Sequence, residues 1–278
     1  MSFSQLRAVY ILSGIIGILA FVASVGGLLL DNLYQDNLLV ISGWYGNDLV
    51  TLLVAVPLLF VSLFLAMGGS QRARLIWLGT LAYVLYNYAF YLFGSALNRF
   101  FLIYAALFTL SIFALIFGLK TLDVKGLARH FSCNAPVRWI AGYMFFTALF
   151  LGGFWITLSL NYVFTNKIPQ IVVAVDSQTN LIAALDLSLV VSFGLLGAIW
   201  LWQHQPWGYV LGVIWNVKGA IYMLALSAAT ISTVRSGVAE NLLPVALWGF
   251  IGIGYLIASV YLLANLQKSN YLEAITQK

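Results

Sequence analysis

The chain has 278 residues, of which 63% are hydrophobic and only 8% are charged. A soluble domain carries about a quarter charged residues, and so few charges here would leave a largely apolar surface in contact with water. The composition therefore excludes a water-soluble globule and a small anchor on a soluble domain. At about 20 apolar residues per crossing, the length is sufficient for about eight to ten membrane helices.

Eight apolar runs separated by short polar connections predict eight spanning helices. Taken in chain order, they are residues 8–30, 49–68, 75–96, 100–119, 139–163, 181–203, 208–233 and 242–266. The connections are too short to fold as separate domains. We therefore predict an all-α fold, a polytopic integral membrane helical bundle in which residues 1–278 form a single membrane domain.

The distribution of Lys and Arg predicts that both termini face the cytoplasm, because basic residues accumulate in cytoplasmic connections. The N-terminal side holds Arg7, Arg72, Arg74, Lys120, Lys125, Arg129, Arg138, Lys268 and Lys278, whereas the opposite side holds Arg99, Lys167 and Arg235. The net charge of +5 fits this asymmetry and anionic lipid headgroups. We expect a plasma (inner) membrane protein that contacts the lipid bilayer and binds no nucleic acid.

A weak internal repeat divides the chain into halves at residues 1–122 and 138–278. In each half a basic residue opens the first helix, and an aspartate, Asp48 or Asp186, lies near the outer end of the second. Four crossings return the chain to its starting side, so the pattern favours two parallel four-helix repeats. Chance periodicity of hydropathy remains the alternative, since the matched residues keep no constant separation.

The sequence offers few residues for metal, cofactor or catalytic chemistry. Cys133 is the single cysteine, and the two histidines, His130 and His204, lie in polar connections. Disulfides, a dithiol pair, a tetrahedral zinc site and two-histidine haem ligation therefore lack ligands. Since no known catalytic motif occurs either, we predict no metal, no cofactor and no assigned catalytic residue.

Lys218 and Asp186 are the charged residues that membrane topology does not explain. Lys218 lies about ten residues into the seventh predicted helix, or about 15 Å from its inner edge. A lysine at that depth costs at least ~2.5–3.5 kcal/mol to insert, so it needs a partner, and Asp186 on the sixth helix is the predicted one. The pair suits substrate or ion coupling, but a purely structural lock between two helices fits the same residues.

A polar stripe runs along the third predicted helix and is expected to face the bundle interior. Its members recur at steps of three and four and share one face: Thr80, Tyr83, Asn87, Tyr91, Gly94 and Asn98. We predict that Asn87 joins Asp186 and Lys218 in coupling, and that Tyr83, Tyr91 and Asn216 line a cavity. Aromatic bulk at Tyr86, Tyr88 and Phe90 favours an amphipathic ligand. Adhesion between helices is the alternative role of the stripe.

These features favour a protein that transports or binds a small or amphipathic, lipid-like molecule, with proton coupling through Asp186 and Lys218. A structural or assembly subunit of a membrane complex is the main alternative, and homo- or hetero-oligomers remain open. An intramembrane enzyme ranks third.

At the surface, Arg99 is predicted to pair with Asp48.

Overall fold

A computed structural model of the chain describes residues 3–132 and 135–267; Cys133, Lys268 and Lys278 lie outside them. Eight of its helices are long and apolar enough to cross a membrane. We call these helices the first to the eighth span; in chain order they are Phe3–Leu29, Leu38–Met67, Gln71–Gly94, Phe101–Lys120, Val137–Thr165, Leu181–Trp202, Pro206–Arg235 and Leu243–Ala264.

No strand forms within the described residues, apart from one isolated bridge between Phe131 and Leu266. Two short helices, Val124–Arg129 and Gln170–Ala174, lie in the connections on either side of the fifth span. The prediction of an all-α, multi-pass membrane bundle is therefore confirmed.

The second span is composed of three helical pieces. An α-helix at Leu38–Val50 widens into a π-helical turn at Thr51–Ala55 and returns to α-helix at Val56–Met67. Pro57 explains the wide turn, because its ring excludes the carbonyl four residues earlier and it offers no backbone N–H. The span begins eleven residues before the predicted start at 49, since polar residues between 38 and 48 are buried in the bundle.

The sixth span has the same three-part composition without a proline. Its α-helix at Leu181–Leu185 leads into a π-helical segment at Asp186–Val191, and α-helix resumes at Ser192–Trp202. The Ser192 hydroxyl donates to the carbonyl of Leu187 at 2.8 Å. Serine hydroxyls that bond back to the helix compete with its backbone ladder, which favours a local departure from α geometry.

The third and seventh spans form the centre of the bundle. Among the eight spans, the third is the most buried, at 72% of its most apolar stretch, and the seventh follows at 61%. The seventh span packs against the second, third, sixth and eighth, and the third also packs against the second and fourth. Polar side chains on these two central helices are thereby shielded from lipid.

The connections gather at two opposite ends of the bundle. One end of the bundle holds both termini of the described chain. There the guanidinium of Arg72 donates to the carbonyl of Leu266 at 2.6 and 2.9 Å, and the backbone amide of Gln267 donates to the carbonyl of His130. At the other end, which we call the far end, the Asp36 carboxylate accepts bonds from Trp44 Nε1 and from the backbone amide of Ala96. Both ends are therefore tied by hydrogen bonds.

Gly46 allows the second and seventh spans to approach closely. A Cβ added at Gly46 would collide with the backbone at Ala228, whereas one at Gly43, on the same helix, would meet no atom within 4 Å. Because a backbone cannot move aside as a flexible side chain can, the contact between these spans requires glycine at position 46.

We therefore expect Gly46→Ala to lower the free energy of unfolding by roughly 1–3 kcal/mol, through overpacking. Gly43→Ala is the matched control and should leave it nearly unchanged. Thermal unfolding of the two purified variants in one detergent measures the difference. Equal melting temperatures for both variants would contradict the close packing of these spans.

Candidate functional site

The predicted pair of charges is buried beside one tyrosine of the third span. Asp186 is 5% exposed and Lys218 is 8% exposed, so neither side chain faces lipid. The Tyr86 hydroxyl donates a hydrogen bond to Asp186 Oδ1, and the Trp155 indole N–H donates to Asp186 Oδ2 at 2.8 Å. The carboxylate of the sixth span is therefore held by side chains of the third and fifth spans.

Lys218 binds the faces of two tyrosine rings. Its Nζ lies 3.7 Å from the ring centroid of Tyr86 and 4.6 Å from that of Tyr222. The two rings meet edge to face with centroids 4.9 Å apart. Within the described residues no ion pair joins Lys218 directly to Asp186, and the link between them runs through Tyr86. Aromatic faces attract an ammonium most strongly when it is desolvated.

A second set of polar side chains on the third span contacts a different neighbour, the second span; these are Asn87, Tyr83 and Tyr91. The Asn47 amide donates to Asn87 Oδ1 at 2.7 Å and to the Tyr91 hydroxyl at 3.1 Å, and the Thr51 and Tyr83 hydroxyls lie 2.8 Å apart. The third span therefore carries two polar faces. Tyr86 contacts the sixth and seventh spans, while its chain neighbour Asn87 contacts the second.

Asp48 forms the centre of this second cluster, which sequence reasoning missed. Its carboxylate is 1% exposed and accepts hydrogen bonds from the Tyr34 and Tyr91 hydroxyls, the latter at 2.8 Å. The predicted pair with Arg99 is wrong, because Arg99 is exposed at the surface while Asp48 lies ten residues inside its span. The signal that could have found the cluster is the tyrosine stripe of the third span.

Asn216 lies in the buried centre of the seventh span, but it bonds within its own helix. Its Nδ2 donates to the Gly212 carbonyl at 2.7 Å, and its Oδ1 has no hydrogen-bond partner. The structure thus brings Asp186 and Lys218 together, places Asn87, Tyr83 and Tyr91 in the Asp48 cluster, and leaves Asn216 outside both. No hydrogen bond to Asn216 extends either cluster.

No protein-family model, curated protein or solved structure matches the chain. The chemistry of the two clusters therefore has to be argued from their geometry. Within residues 3–132 and 135–267, no three His, Cys, Asp or Glu side chains gather where they could hold a metal ion. The groups that the clusters do offer are hydroxyls, amides, two carboxylates and one amine, which exchange protons and hydrogen bonds.

Two surface cavities lie beside the short helix Val124–Arg129. One, of about 360 Å³, is lined partly by Arg129, Phe131, His204 and Tyr209; the other, of about 370 Å³, is lined partly by Trp200 and Trp207. Neither cavity includes Asp186, Lys218 or Asn87. In this conformation the side chains of each cluster are closely packed, and they bond to one another within their own cluster.

Removing the Tyr86 hydroxyl should destabilise the protein through Asp186. Tyr86→Phe keeps the ring under Lys218 but leaves the buried carboxylate with one donor, so we expect a loss of about 1–3 kcal/mol in unfolding free energy. In a double-mutant cycle with Asp186→Asn, the two losses should be less than additive by about 0.5–3 kcal/mol. Thermal unfolding measures the cycle, with Tyr162→Phe at an exposed tyrosine as control. Strict additivity would contradict the bond.

Proposed function

We propose that this protein is a multi-pass transporter of the plasma membrane that moves a small or amphipathic molecule in step with a proton. The observation that carries the proposal is that Asp186 and Lys218, both buried, are linked through Tyr86 instead of a direct ion pair. The asymmetry of Lys and Arg supports an orientation with both termini in the cytoplasm.

The linkage through Tyr86 favours a coupling site over a structural lock. Two opposite charges that only hold helices together gain most from direct contact with all remaining hydrogen bonds satisfied. Asp186 instead accepts one hydroxyl and one indole hydrogen bond, although a carboxylate has about four acceptor positions. An under-solvated carboxylate of this kind is suited to accept a proton.

Protonation of Asp186 would change what stabilises Lys218. A neutral carboxyl no longer balances the ammonium, which would then depend on the Tyr86 and Tyr222 rings alone. Because an unbalanced charge is costly in a low-dielectric interior, proton loading would favour a conformation in which Lys218 reaches water or a bound molecule. Differential stability of two conformations is the requirement for coupling a proton to a substrate.

We further propose that residues 1–122 and 138–278 are parallel repeats. What supports this is that the second helix of each half is interrupted by a π-helical segment next to a buried aspartate. In the second span Asp48 precedes the segment at Thr51–Ala55, and in the sixth span Asp186 opens it. Wide turns of this kind are frequent at functional sites, so their occurrence in both halves supports two related sites.

Transport in reconstituted vesicles tests the proposal. Proteoliposomes that enclose a pH-sensitive dye are given pools of amino acids, organic acids, amines and short amphiphiles under an imposed pH gradient. We expect the native protein to move protons with at least one pool, and Asp186→Asn and Lys218→Met to reduce that flux about tenfold or more, because each variant removes one charge of the coupled pair and a coupling free energy is typically about 1–3 kcal/mol.

Matched controls remove the same chemical groups from exposed positions. Asp176→Asn and Lys167→Met change a surface acid and a surface lysine of the same connection, and they should transport at the native rate. Coupling through this site is refuted if no pool moves protons, or if both buried variants transport as fast as their controls.

A structural or assembly subunit is the second candidate. The close packing of both clusters favours it. The exposure of the fifth and eighth spans also favours it, because only 22% of the most apolar stretch of each is buried. These faces would contact a partner membrane protein. Native mass spectrometry of the protein purified in a mild detergent distinguishes the two: a stoichiometric second chain supports the subunit, while a monomer or a homo-oligomer with proton flux supports the transporter.

A further inference from the structure

Asp48 is a second buried carboxylate, and no basic side chain of the described residues lies beside it. It lies on the second span and faces the connection between the first and second spans, the third and fourth spans, and the backbone of the first span. Within residues 3–132 and 135–267, the titratable groups that those elements bring near it are all tyrosines: Tyr34, Tyr83, Tyr88, Tyr91 and Tyr104. Asp36, in the same connection as Tyr34, bonds to Trp44 and to the amide of Ala96.

The first and seventh spans add only uncharged groups around this cluster. A Cβ added at Gly27 of the first span would collide with the Asp48 carboxylate and the Tyr34 hydroxyl, so the backbone itself packs on the acid. The seventh span contributes the backbone at Ala228, which lies against Gly46. In the part of the chain described, Lys218 is the buried basic side chain, and it lies on the Tyr86 and Tyr222 rings.

A carboxylate that is 1% exposed with no cation beside it is very unfavourable. Hydroxyl donors reduce this cost but do not cancel a full negative charge. Either a small cation or a proton must therefore accompany Asp48. Amide N–H groups lie among the same oxygens, because Asn47 Nδ2 points at Asn87 Oδ1 and Tyr91, and the buried Asn87 Nδ2 has no acceptor. Such donors disfavour a metal cation.

We infer that Asp48 is a proton-binding site, held as a neutral carboxyl group and closed on the far-end side by Tyr34. A protonated carboxyl both donates and accepts, and a tyrosine hydroxyl can do the same, so Tyr34 and Tyr91 suit either protonation state. Burial raises the pKa of Tyr34 above its ordinary value, so this hydroxyl stays neutral.

One buried polar atom gives the site spare hydrogen-bonding capacity. Asn87 Nδ2 lacks a partner, and Asn87 Oδ1 of the same amide accepts a hydrogen bond from Asn47, which also donates to Tyr91. When the proton leaves, a carboxylate needs additional donors, and the Asn87 amide is the group available to supply one. The site is separate from the one at Asp186, so the inference does not rest on the proposed transport activity.

Infrared spectroscopy of the full-length protein in lipid nanodiscs tests the inference, because a protonated carboxyl has a carbonyl band apart from those of carboxylates. At neutral pH the native protein should show this band, and Asp48→Asn should lose it, while Asp31→Asn at an exposed acid keeps it. The buffer contains potassium in one series and sodium in another.

Tyr34→Phe provides a second variant that keeps the carboxyl. Loss of one hydrogen bond should shift the band and speed its exchange in deuterated buffer by roughly five- to tenfold, whereas Tyr162→Phe should change neither. If Asp48→Asn is too unstable to purify, this shift alone decides the result. An unchanged band in Asp48→Asn, no change of shift or exchange in Tyr34→Phe, or a band that disappears when sodium replaces potassium would overturn the proton assignment.

Discussion

The structure depends on how a membrane interior accommodates ionisable groups without water. Tyr86 provides the main solution, since its hydroxyl binds Asp186 and its ring binds Lys218. One neutral side chain thereby stabilises an acid and a base at once, and it joins three spans in doing so. The central position of the third span follows from this requirement, because its polar face would be unfavourable anywhere nearer to lipid.

The adjacent residue, Asn87, extends the same principle to the opposite side. Since consecutive residues of a helix point about 100° apart, Tyr86 and Asn87 reach different neighbours from one turn. The third span therefore serves the sixth and seventh spans on one face and the second span on another. Both buried carboxylates depend on neutral polar side chains of this helix, although they belong to different halves of the chain.

The fold class could be predicted from the sequence because hydropathy over 20-residue windows is a strong signal. Lys218 and Asp186 could be predicted as buried partners because charged residues are rare within apolar runs. It did not identify Tyr86 or Trp155 as partners, since aromatic residues in membrane helices have many roles. The burial of Asp48 was missed for another reason. Polar residues around it resemble a loop in hydropathy, and only tertiary packing shows that they are enclosed.

The π-helical segment at Asp186–Val191 has a consequence for how this protein tolerates insertions and deletions. Such a segment accommodates one residue more than an α-helix of equal length. Loss of a single residue there would let the sixth span become continuous α-helix, and its Leu181–Leu185 end would still face nearly the same neighbours, because a wide turn and an α turn each complete one circle. Homologues of this chain should therefore tolerate loss of one residue in this stretch, whereas a deletion in the α-helical parts of the span would turn one end by about 100° relative to the other.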